Sequence, residues 1–215
     1  MFKDRQDAAL QLAAKLEKYR KQPLIVLGIP RGGIETAYYI SSYLDAPLSA
    51  IVVRKLGYPR NPEFAFGALA EDGTVFYVEG YKQGISQESI DQAEEEQLKE
   101  IHRRIRIFRK GQPLPDLRNK TVIIADDGIA TGSTVIAAIR MCKKMGAGKI
   151  IVAAPVSSIG KVDEMERESS EAVILIKLPV FFSVSEVYEN FGNLTDKEAL
   201  SFLEKREKEI KAEQK

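Results

Sequence analysis

Short runs of continuously apolar residues, rich in valine and isoleucine, recur along the chain and predict buried strands. A strand covered on both faces is apolar at every position, whereas a strand with one face in water alternates between apolar and polar residues. The runs are therefore typical of parallel strands. They occupy residues 23–29, 48–53, 121–125, 149–154 and 172–178, with a weaker candidate at 74–78 that is compatible with antiparallel pairing.

Helical periodicity fills the intervals between these runs. Residues 33–44 follow the first run, and residues 133–145 follow the run at 121–125 and stop before Gly146, a residue type common at helix ends. Apolar residues at roughly helical spacing predict one long helix over residues 86–110. A charged final helix begins near residue 196, where Thr195 and Glu198 have the spacing of a capping box.

Strands that alternate with helices predict an α/β fold, with a mainly parallel twisted sheet, helices on both faces and right-handed crossovers. We assign residues 1–178 to this core, which includes a flexible loop near residues 55–66 and the long helix near 86–110. Residues 179–215 are assigned to a small C-terminal hood and the last helix.

Composition and charge narrow the class of protein. At 215 residues and 44% hydrophobic content, the chain can bury one substantial core, and its net charge of +1 gives no general attraction to nucleic acid or anionic membranes. The single cysteine, Cys142, has no disulfide partner within the chain, which fits a reducing compartment. Neither a signal peptide nor an apolar run of the roughly 20 residues needed to span a membrane is evident. We expect a cytoplasmic protein, with a homodimer as the default oligomer.

The segment VIIADDGIATGST, residues 122–134, places candidate chemistry at the end of a buried strand. Asp126 and Asp127 follow the strand directly, where ligands of open α/β sheets bind. The loop from Ala130 to Thr134 then opens a helix, whose free N–H groups and positive dipole end suit a phosphate. Because carboxylates repel phosphate, the ligand must carry phosphate at one end and hydroxyl groups or a metal at the other. A ribose 5-phosphate with Mg²⁺ meets both requirements.

This segment resembles the signature with which type I phosphoribosyltransferases bind phosphoribosyl pyrophosphate (PRPP), although Ala125 and Gly128 stand where larger aliphatic residues are usual. The resemblance implies that Asp126 and Asp127 face the ribose hydroxyls and hold Mg²⁺ through water or through PRPP. It also implies a 5-phosphate site formed by Ala130, Thr131, Gly132, Ser133 and Thr134. An acidic strand end followed by an ordinary helix cap is the alternative.

The residue at position 130 differs between branches of this family and therefore bears on the substrate. Hypoxanthine-guanine enzymes of this family carry an aspartate there, placed as an acid or base near the purine. Adenine enzymes carry an alanine, as this chain does at Ala130. The alanine argues against a 6-oxopurine enzyme of the usual design, without establishing adenine as the substrate.

Two further segments resemble parts of the same family. Arg31, Gly32 and Gly33 follow the first strand and resemble its pyrophosphate loop, although a plain Gly-Gly turn is the alternative. Arg54 and Lys55 resemble the Arg-Lys step of orotate and adenine enzymes, where cations contact pyrophosphate. With the acidic pair, Arg54 and Lys55 form the predicted catalytic set.

The stretch after Lys55 predicts an ordered turn or a mobile lid. It contains Gly57, Pro59 and Pro62, residue types that favour turns. A lid over PRPP would exclude water and so suppress hydrolysis of a reactive ribosyl centre. Glu63 is a candidate proton acceptor in this segment, although we favour a solvated loop carboxylate.

Aromatic residues after the last strand occupy the place of the family's hood, near the base. Tyr188 and Phe191 are candidates for base binding, with Phe181 and Phe182 as further stacking surfaces. A small aromatic core beneath the hood explains the same residues, and we favour it slightly.

The histidine and the basic residues of the long helix are interpreted as surface residues rather than as catalytic or metal-binding groups. His102 is interpreted as solvated, and the sequence contains neither a zinc-binding cluster nor the P-loop and dinucleotide motifs. Basic residues at the end of the long helix suit its dipole, and we interpret them as a solvated face first and an RNA or partner contact second. They are Arg103, Arg104, Arg106, Arg109 and Lys110.

Together, these segments predict an enzyme that binds PRPP with Mg²⁺, transfers ribose 5-phosphate to a nitrogenous base and releases pyrophosphate. Its partners would be PRPP and a small-molecule acceptor, which the sequence does not identify. Two alternatives stay open. One is a non-catalytic regulator that senses PRPP, and the other is a hydrolase that uses water as the acceptor.

Overall fold

A computed structural model describes residues 1–58, 61–82, 84–180 and 183–213, with the backbone alone for residues 61–63. In chain order the elements are α1 (Arg5–Leu16), β1 (Leu24–Gly28), α2 (Gly32–Leu44), β2 (Leu48–Ala50), β3 (Val53–Tyr58), β4 (Asn61–Ala70), β5 (Val75–Tyr77), α3 (Gln87–Arg109), β6 (Thr121–Ala125), α4 (Ser133–Lys144), β7 (Lys149–Ser158), α5 (Ile159–Glu168), β8 (Glu171–Leu178) and α6 (Asp196–Glu213). Short 3-10 turns lie at Glu17–Tyr19 and Val184–Val187.

The central sheet has five parallel strands in the order β2–β1–β6–β7–β8, which confirms the predicted fold class. Every residue of β1 and β6 is buried, as continuously apolar strands in the middle of a sheet require. The last residues of these two strands, Gly28 and Ala125, pair in register. The loops that follow β1 and β6 therefore leave the same edge of the sheet side by side.

Helices cover both faces of this sheet. Leu12 of α1 and Ile40 of α2 pack on one face, and Ile139 of α4 and Met165 of α5 pack on the other, all four essentially without solvent exposure. The burial of each such side chain stabilises the folded state by about 1.5–3 kcal/mol. The position of the strand ends is thus fixed from both sides of the sheet.

The predicted loop near residues 55–66 is largely a β-hairpin. Strands β3 and β4 pair antiparallel, and β5 joins β4 antiparallel, as the run at 74–78 allowed. Leu56 and Phe66 of the hairpin are buried against Ile90 and Ile101 of α3. This long-range packing stabilises strands where the glycine and proline content favoured a turn. Residues 59 and 60 and the Glu63 side chain lie outside the described residues.

The long helix has the predicted extent, since Ser86 caps its start and Lys110 its end. His102 is exposed, as predicted. The interpretation of the basic cluster as a solvated face is wrong for two members. Arg104 is 9% exposed, and the Arg109 side chain forms an interior ion pair with Glu71 in which the two side chains are 6% and 5% exposed. The sequence pattern could not show which arginines turn inward, because both partners of the pair come from distant elements.

The hood is built from both ends of the chain. Phe2 donates its N–H to Val187 and accepts from Glu189, so the first residues are tied to the segment after β8. The last helix, α6, lies against α2, where the buried Arg206 donates to Asp45, Ser41 and the Ala46 carbonyl. The predicted capping box of Thr195 and Glu198 is present. In the described residues, no helix combines the length and apolarity needed to cross a membrane.

Replacing Arg109 by methionine should destabilise the fold strongly. The change leaves the Glu71 carboxylate buried without its cation, and breaking a buried pair in this way typically costs about 3–5 kcal/mol. We expect a loss of this size in the free energy of unfolding measured in urea. Arg106→Met is the matched control, because Arg106 is exposed on the same helix and should change stability by less than about 0.5 kcal/mol. Equal stability of the two variants would contradict the buried ion pair.

Candidate active site

Two adjacent carboxylates lie at the carboxyl end of β6. The Asp126 N–H donates to the Ala153 carbonyl of β7, which continues the sheet pairing past the strand end. The Asp127 N–H donates to Oδ1 of Asp126 at 2.9 Å. Burial and, next, the charge of Asp127 raise the pKa of Asp126 well above its usual range. Two crowded carboxylates in this position favour any cation that can be brought to them.

Arg5 of α1 supplies one such cation, and the sequence analysis missed it. Its Nε donates to Oδ2 of Asp127 at 2.7 Å, and its Nη1 donates to the Gly192 carbonyl at 2.8 Å. The guanidinium also lies 4.0 Å above the ring of Phe191, a favourable cation–π distance. Arg5 is only 6% exposed and joins the acidic pair to the hood. Because 122 residues separate it from Asp127, no local pattern could have revealed the contact.

The loop after β1 packs directly on the acidic pair. A Cβ at Gly32 would collide with the Asp127 carboxylate, and one at Gly33 would lie 2.7 Å from the Ala125 carbonyl oxygen. The glycines therefore serve close approach between two loops. Gly33 is buried, whereas Arg31 is exposed and lines the cavity beside the acidic pair. The peptide bond between Pro30 and Arg31 is cis.

The loop before α4 has the form of an anion site. Gly132 adopts φ +74°, in the left-handed region that favours glycine, and provides no side-chain cap to the helix. The N–H groups of the first turn thus remain available to a ligand. Thr131 is exposed, whereas Ser133 is buried with its hydroxyl 3.2 Å from that of Thr131. Lys161 of α5 lies beside Gly132 and is a second residue that the sequence analysis missed.

Gly128, which departs from the usual signature, has a structural reason. A Cβ there would lie 2.5 Å from Cγ1 of Val184 in the hood segment and 3.1 Å from Cγ1 of Val156. In this chain the hood residue Val184 fills the space that a larger aliphatic side chain at position 128 would take. The departure therefore reflects how the hood packs on the acidic loop.

Half of the predicted site residues meet around a first cavity of about 630 Å³. Its lining includes predicted residues from all three segments: Arg31, Gly32, Arg54, Lys55, Asp126, Asp127 and Thr134. Positive side chains from the β1 loop and the hairpin thus face the acidic pair and the start of α4. The lining does not include four further predicted residues, Gly33, Thr131, Gly132 and Ser133.

A second cavity of about 450 Å³ adjoins the first, with Arg31, Gly32, Arg54 and Asp127 in both linings. Ala130, Phe191 and Arg104 line the second cavity only. Arg104 comes from α3 and belongs to the basic cluster whose pattern indicated a solvated face. The hood and the long helix therefore contribute a subsite that the signature residues alone do not form.

The prediction that Tyr188 stacks on a base is wrong for this structure. Tyr188 is 5% exposed, packs against Phe2, and donates its hydroxyl to the Asp127 carbonyl at 2.7 Å. Burial raises the pKa of Tyr188 above its usual range, which keeps the hydroxyl a donor. The alternative of a small core under the hood is the better description of this residue. Phe191 does reach the second cavity, and Phe181 and Phe182 lie outside the described residues.

The acidic pair suits a metal that arrives with its own ligands. Among the described residues, no group of three or more histidine, cysteine or acidic side chains could cage a metal ion. Mg²⁺ commonly keeps several waters and binds through one or two carboxylates together with substrate phosphates. Two crowded carboxylates beside a cavity with cationic walls fit this mode of binding.

Comparison with known proteins agrees with this geometry. Residues 3–190 match the family model described as "Phosphoribosyl transferase domain". The chain belongs to this family. Its relatives include a Mycobacterium tuberculosis (strain CDC 1551) protein called "Putative phosphoribosyl transferase", which is 37% identical over 212 residues. That match covers 98% of this chain and 48% of the relative, so the chain spans about half the length of the curated relatives it matches.

Two more similarities bear on structure and function. The crystal structure of TT1426 from Thermus thermophilus is 32% identical, with a TM-score of 0.78, and the match covers 94% of this chain and 97% of that one. A protein of Methanosphaera stadtmanae named "Transcriptional regulator GfcR" is 39% identical over 61 residues, which cover 28% of this chain and 30% of the relative. The phosphoribosyl transferase fold thus extends over nearly the whole chain, whereas the likeness to the regulator is confined to a short stretch.

Replacing Gly33 by alanine should push the β1 loop away from the acidic pair. The new methyl group would meet the backbone of Ala125 and Asp126, which cannot move independently of the sheet. We expect a loss of about 1–3 kcal/mol in the free energy of unfolding. Gly160→Ala is the control, because nothing lies within 4 Å of a Cβ there. A Gly33→Ala protein as stable in urea as the Gly160→Ala protein would show that the two loops are not tightly packed.

Proposed function

We propose that this protein binds PRPP together with Mg²⁺ and transfers ribose 5-phosphate from it to a nitrogenous base, with release of pyrophosphate. The observation that carries the proposal is the arrangement of charges around the first cavity. The start of α4, the acidic pair and a cationic wall of Arg31, Arg54 and Lys55 all contribute to its lining, and the first turn of α4 has free N–H groups that suit an anion. PRPP has the complementary pattern of phosphate, ribose hydroxyls and pyrophosphate.

The helix start would hold the 5-phosphate end of the substrate. The free N–H groups after Gly132 and the dipole of α4 favour a doubly charged anion there. Thr134 lines the cavity, and Thr131, two residues before the helix, is exposed. Lys161 packs its aliphatic chain beside Gly132 and pairs its ammonium group with Glu164. These contacts would fix the ribose so that its hydroxyls face the acidic pair.

The cationic wall would hold the leaving group. As the bond between C1 of the ribose and the pyrophosphate oxygen breaks, negative charge grows on the pyrophosphate, and Arg31, Arg54 and Lys55 are placed to stabilise it. Asp126 and Asp127 would hold Mg²⁺ through water or through PRPP, and the ion, when bound, supplies further positive charge to the phosphates. The same carboxylates favour the positive charge that develops on the ribose ring. Electrostatics and positioning therefore account for most of the proposed rate enhancement.

A PRPP-binding regulator is the second candidate, because part of the chain is similar to a transcriptional regulator. Such a protein would bind PRPP in the same cavity without turning it over. A hydrolase would release pyrophosphate with water as the acceptor and without any added base. The three functions share a binding site and differ only in the fate of the bound PRPP.

The first test is calorimetric titration of PRPP into the protein with and without Mg²⁺, combined with a pyrophosphate assay with and without added bases. Mg²⁺-dependent binding with base-dependent release supports the transferase. Binding without release supports the regulator, and release without a base supports the hydrolase. Absence of binding under both conditions would refute the proposal.

Replacing both carboxylates, Asp126→Asn with Asp127→Asn, should weaken Mg²⁺-dependent PRPP binding by about tenfold or more, because hydrogen bonds to charged groups are worth about 1.5–3 kcal/mol each. Thermal unfolding should show that the fold persists, because the change removes repulsion between the two carboxylates and the Arg5 guanidinium keeps Glu35 and the Gly192 carbonyl as partners. Asp163→Asn is a matched control on the exposed side of α5 and should bind PRPP like the wild type. Unchanged PRPP affinity in the double variant would eliminate the acidic pair as the binding site.

A further inference from the structure

The second cavity contains a charged residue that the proposed transfer chemistry leaves without a role. Arg104 lines this cavity but not the first one, where PRPP would lie. The residue is 9% exposed and comes from the interior side of α3. A buried guanidinium is expensive to desolvate, so its presence at a cavity wall needs a reason.

The protein satisfies Arg104 only in part. Its Nε donates to Glu100 at 2.8 Å, and its Nη1 lies 3.4 Å from the Pro30 carbonyl. In the part of the chain that the structure describes, no acceptor takes its Nη2 group. Glu100 is also shared with Arg103, which donates to both of its carboxylate oxygens and to Asp196. Among the described residues, the carboxylate that Arg104 contacts is thus a shared one, and the Nη2 group of Arg104 retains its donor capacity.

Positive charge is in excess around Arg104. Arg54 lines both cavities, and its Nε donates to the neutral amide of Gln97 at 3.0 Å. Burial, and next the charge of Arg104, lower the pKa of Arg54. The carboxylate in the lining of the second cavity, Asp127, is held by Arg5. Among the described residues, this lining therefore lacks a further negative charge to balance Arg54 and Arg104.

The second cavity also has an apolar part. Ala130, Val184, Phe191 and Leu194 contribute to its lining, next to the polar residues Ser183 and Asn193. One face of the Phe191 ring is covered by Arg5. Such a mixed lining suits a small planar ring that carries negative charge, because apolar side chains contact the ring while guanidinium groups favour anionic oxygens.

We propose that the acceptor is a small planar nitrogen heterocycle that is anionic at neutral pH, and that Arg104, assisted by Arg54, recognises its negative charge in the second cavity. This inference rests on the proposed transferase function and specifies its substrate class. A carboxylate substituent and an ionised ring oxygen both fit this class, because they present the same anionic oxygens to a guanidinium.

An anionic acceptor also fits the chemistry of transfer. Its ring nitrogen gives a lone pair to C1 of the ribose, the bond from C1 to the pyrophosphate oxygen breaks, and pyrophosphate leaves with that electron pair. Any proton still on the nitrogen passes to water. Negative charge on the ring raises the electron density at the attacking nitrogen, so the reaction depends less on a general base.

Matched acceptor pairs test the inference. Nicotinate against nicotinamide, and orotate against uracil, share a ring and differ in charge. With Mg²⁺ present, we expect pyrophosphate to be released from PRPP about tenfold faster or more with the acidic member of at least one pair than with the neutral member. A factor of this size corresponds to the free energy of one hydrogen bond between charged groups. The comparison uses kcat/KM for each acceptor.

Substitution of Arg104 assigns the preference to this side chain. Arg104→Met should raise KM for the anionic acceptor about tenfold, while KM for PRPP stays the same. The values of kcat/KM for the acidic and the neutral acceptor should therefore become nearly equal. Arg104→Lys keeps the charge and should retain part of the preference. Arg106→Met, exposed on the same helix, should behave like the wild type. Thermal unfolding of all three variants establishes that they fold.

The outcomes separate this inference from the proposed function. If the protein binds PRPP but no acidic acceptor is preferred, or if Arg104→Met keeps the preference, the inference is overturned and the transferase proposal stands. Loss of PRPP affinity in Arg104→Met, measured by titration, would assign the residue to the PRPP site and overturn the inference as well. If the wild type does not bind PRPP, the proposed function itself fails.

Discussion

Two adjacent carboxylates at a buried strand end are the constraint around which this structure is organised. Burial and mutual repulsion raise the free energy of the ionised pair. The fold offsets this by bringing positive charge from a distance, since Arg5 of the first helix donates to Asp127. The two glycines of the β1 loop allow the backbone to approach the pair closely enough to close the site. The site would not form without these neighbours.

The same contacts join the hood to the acidic loop. Arg5 holds the carbonyl of Gly192 and covers Phe191, and Tyr188 donates to the backbone of Asp127. The hood is therefore connected to this loop by side chains from both ends of the chain. Arg5 and Phe191 also line the second cavity, so in the proposed reaction this connection would link acceptor recognition to the geometry of the ribose site.

The long helix α3 and the hairpin supply the opposite charge. They pack on each other through an apolar cluster, and that packing orients Arg54 and Arg104 toward the cavities. The accessory layer thus supplies Arg54, Lys55 and Arg104 to the positive lining, and the loop after β1 of the central sheet supplies Arg31. In the proposed reaction, the sheet would fix the ribose and its phosphate, while the accessory layer would bind the leaving group and determine which acceptor is used.

The sequence by itself determined the strands of the central sheet, the flanking helices α2 and α4 and the acidic and glycine-rich loops, because burial pattern and helix capping act between near neighbours. It also brought forward Asp126, Asp127 and Arg31, since a strand end fixes where such residues lie. The same local patterns indicated a loop where the hairpin forms and a solvated role for Arg104, and they left a stacking role open for Tyr188. Only the tertiary structure decided these, together with the role of Arg5, because their environments come from elements far away in the chain. Long-range packing and charge pairing leave no local pattern to read.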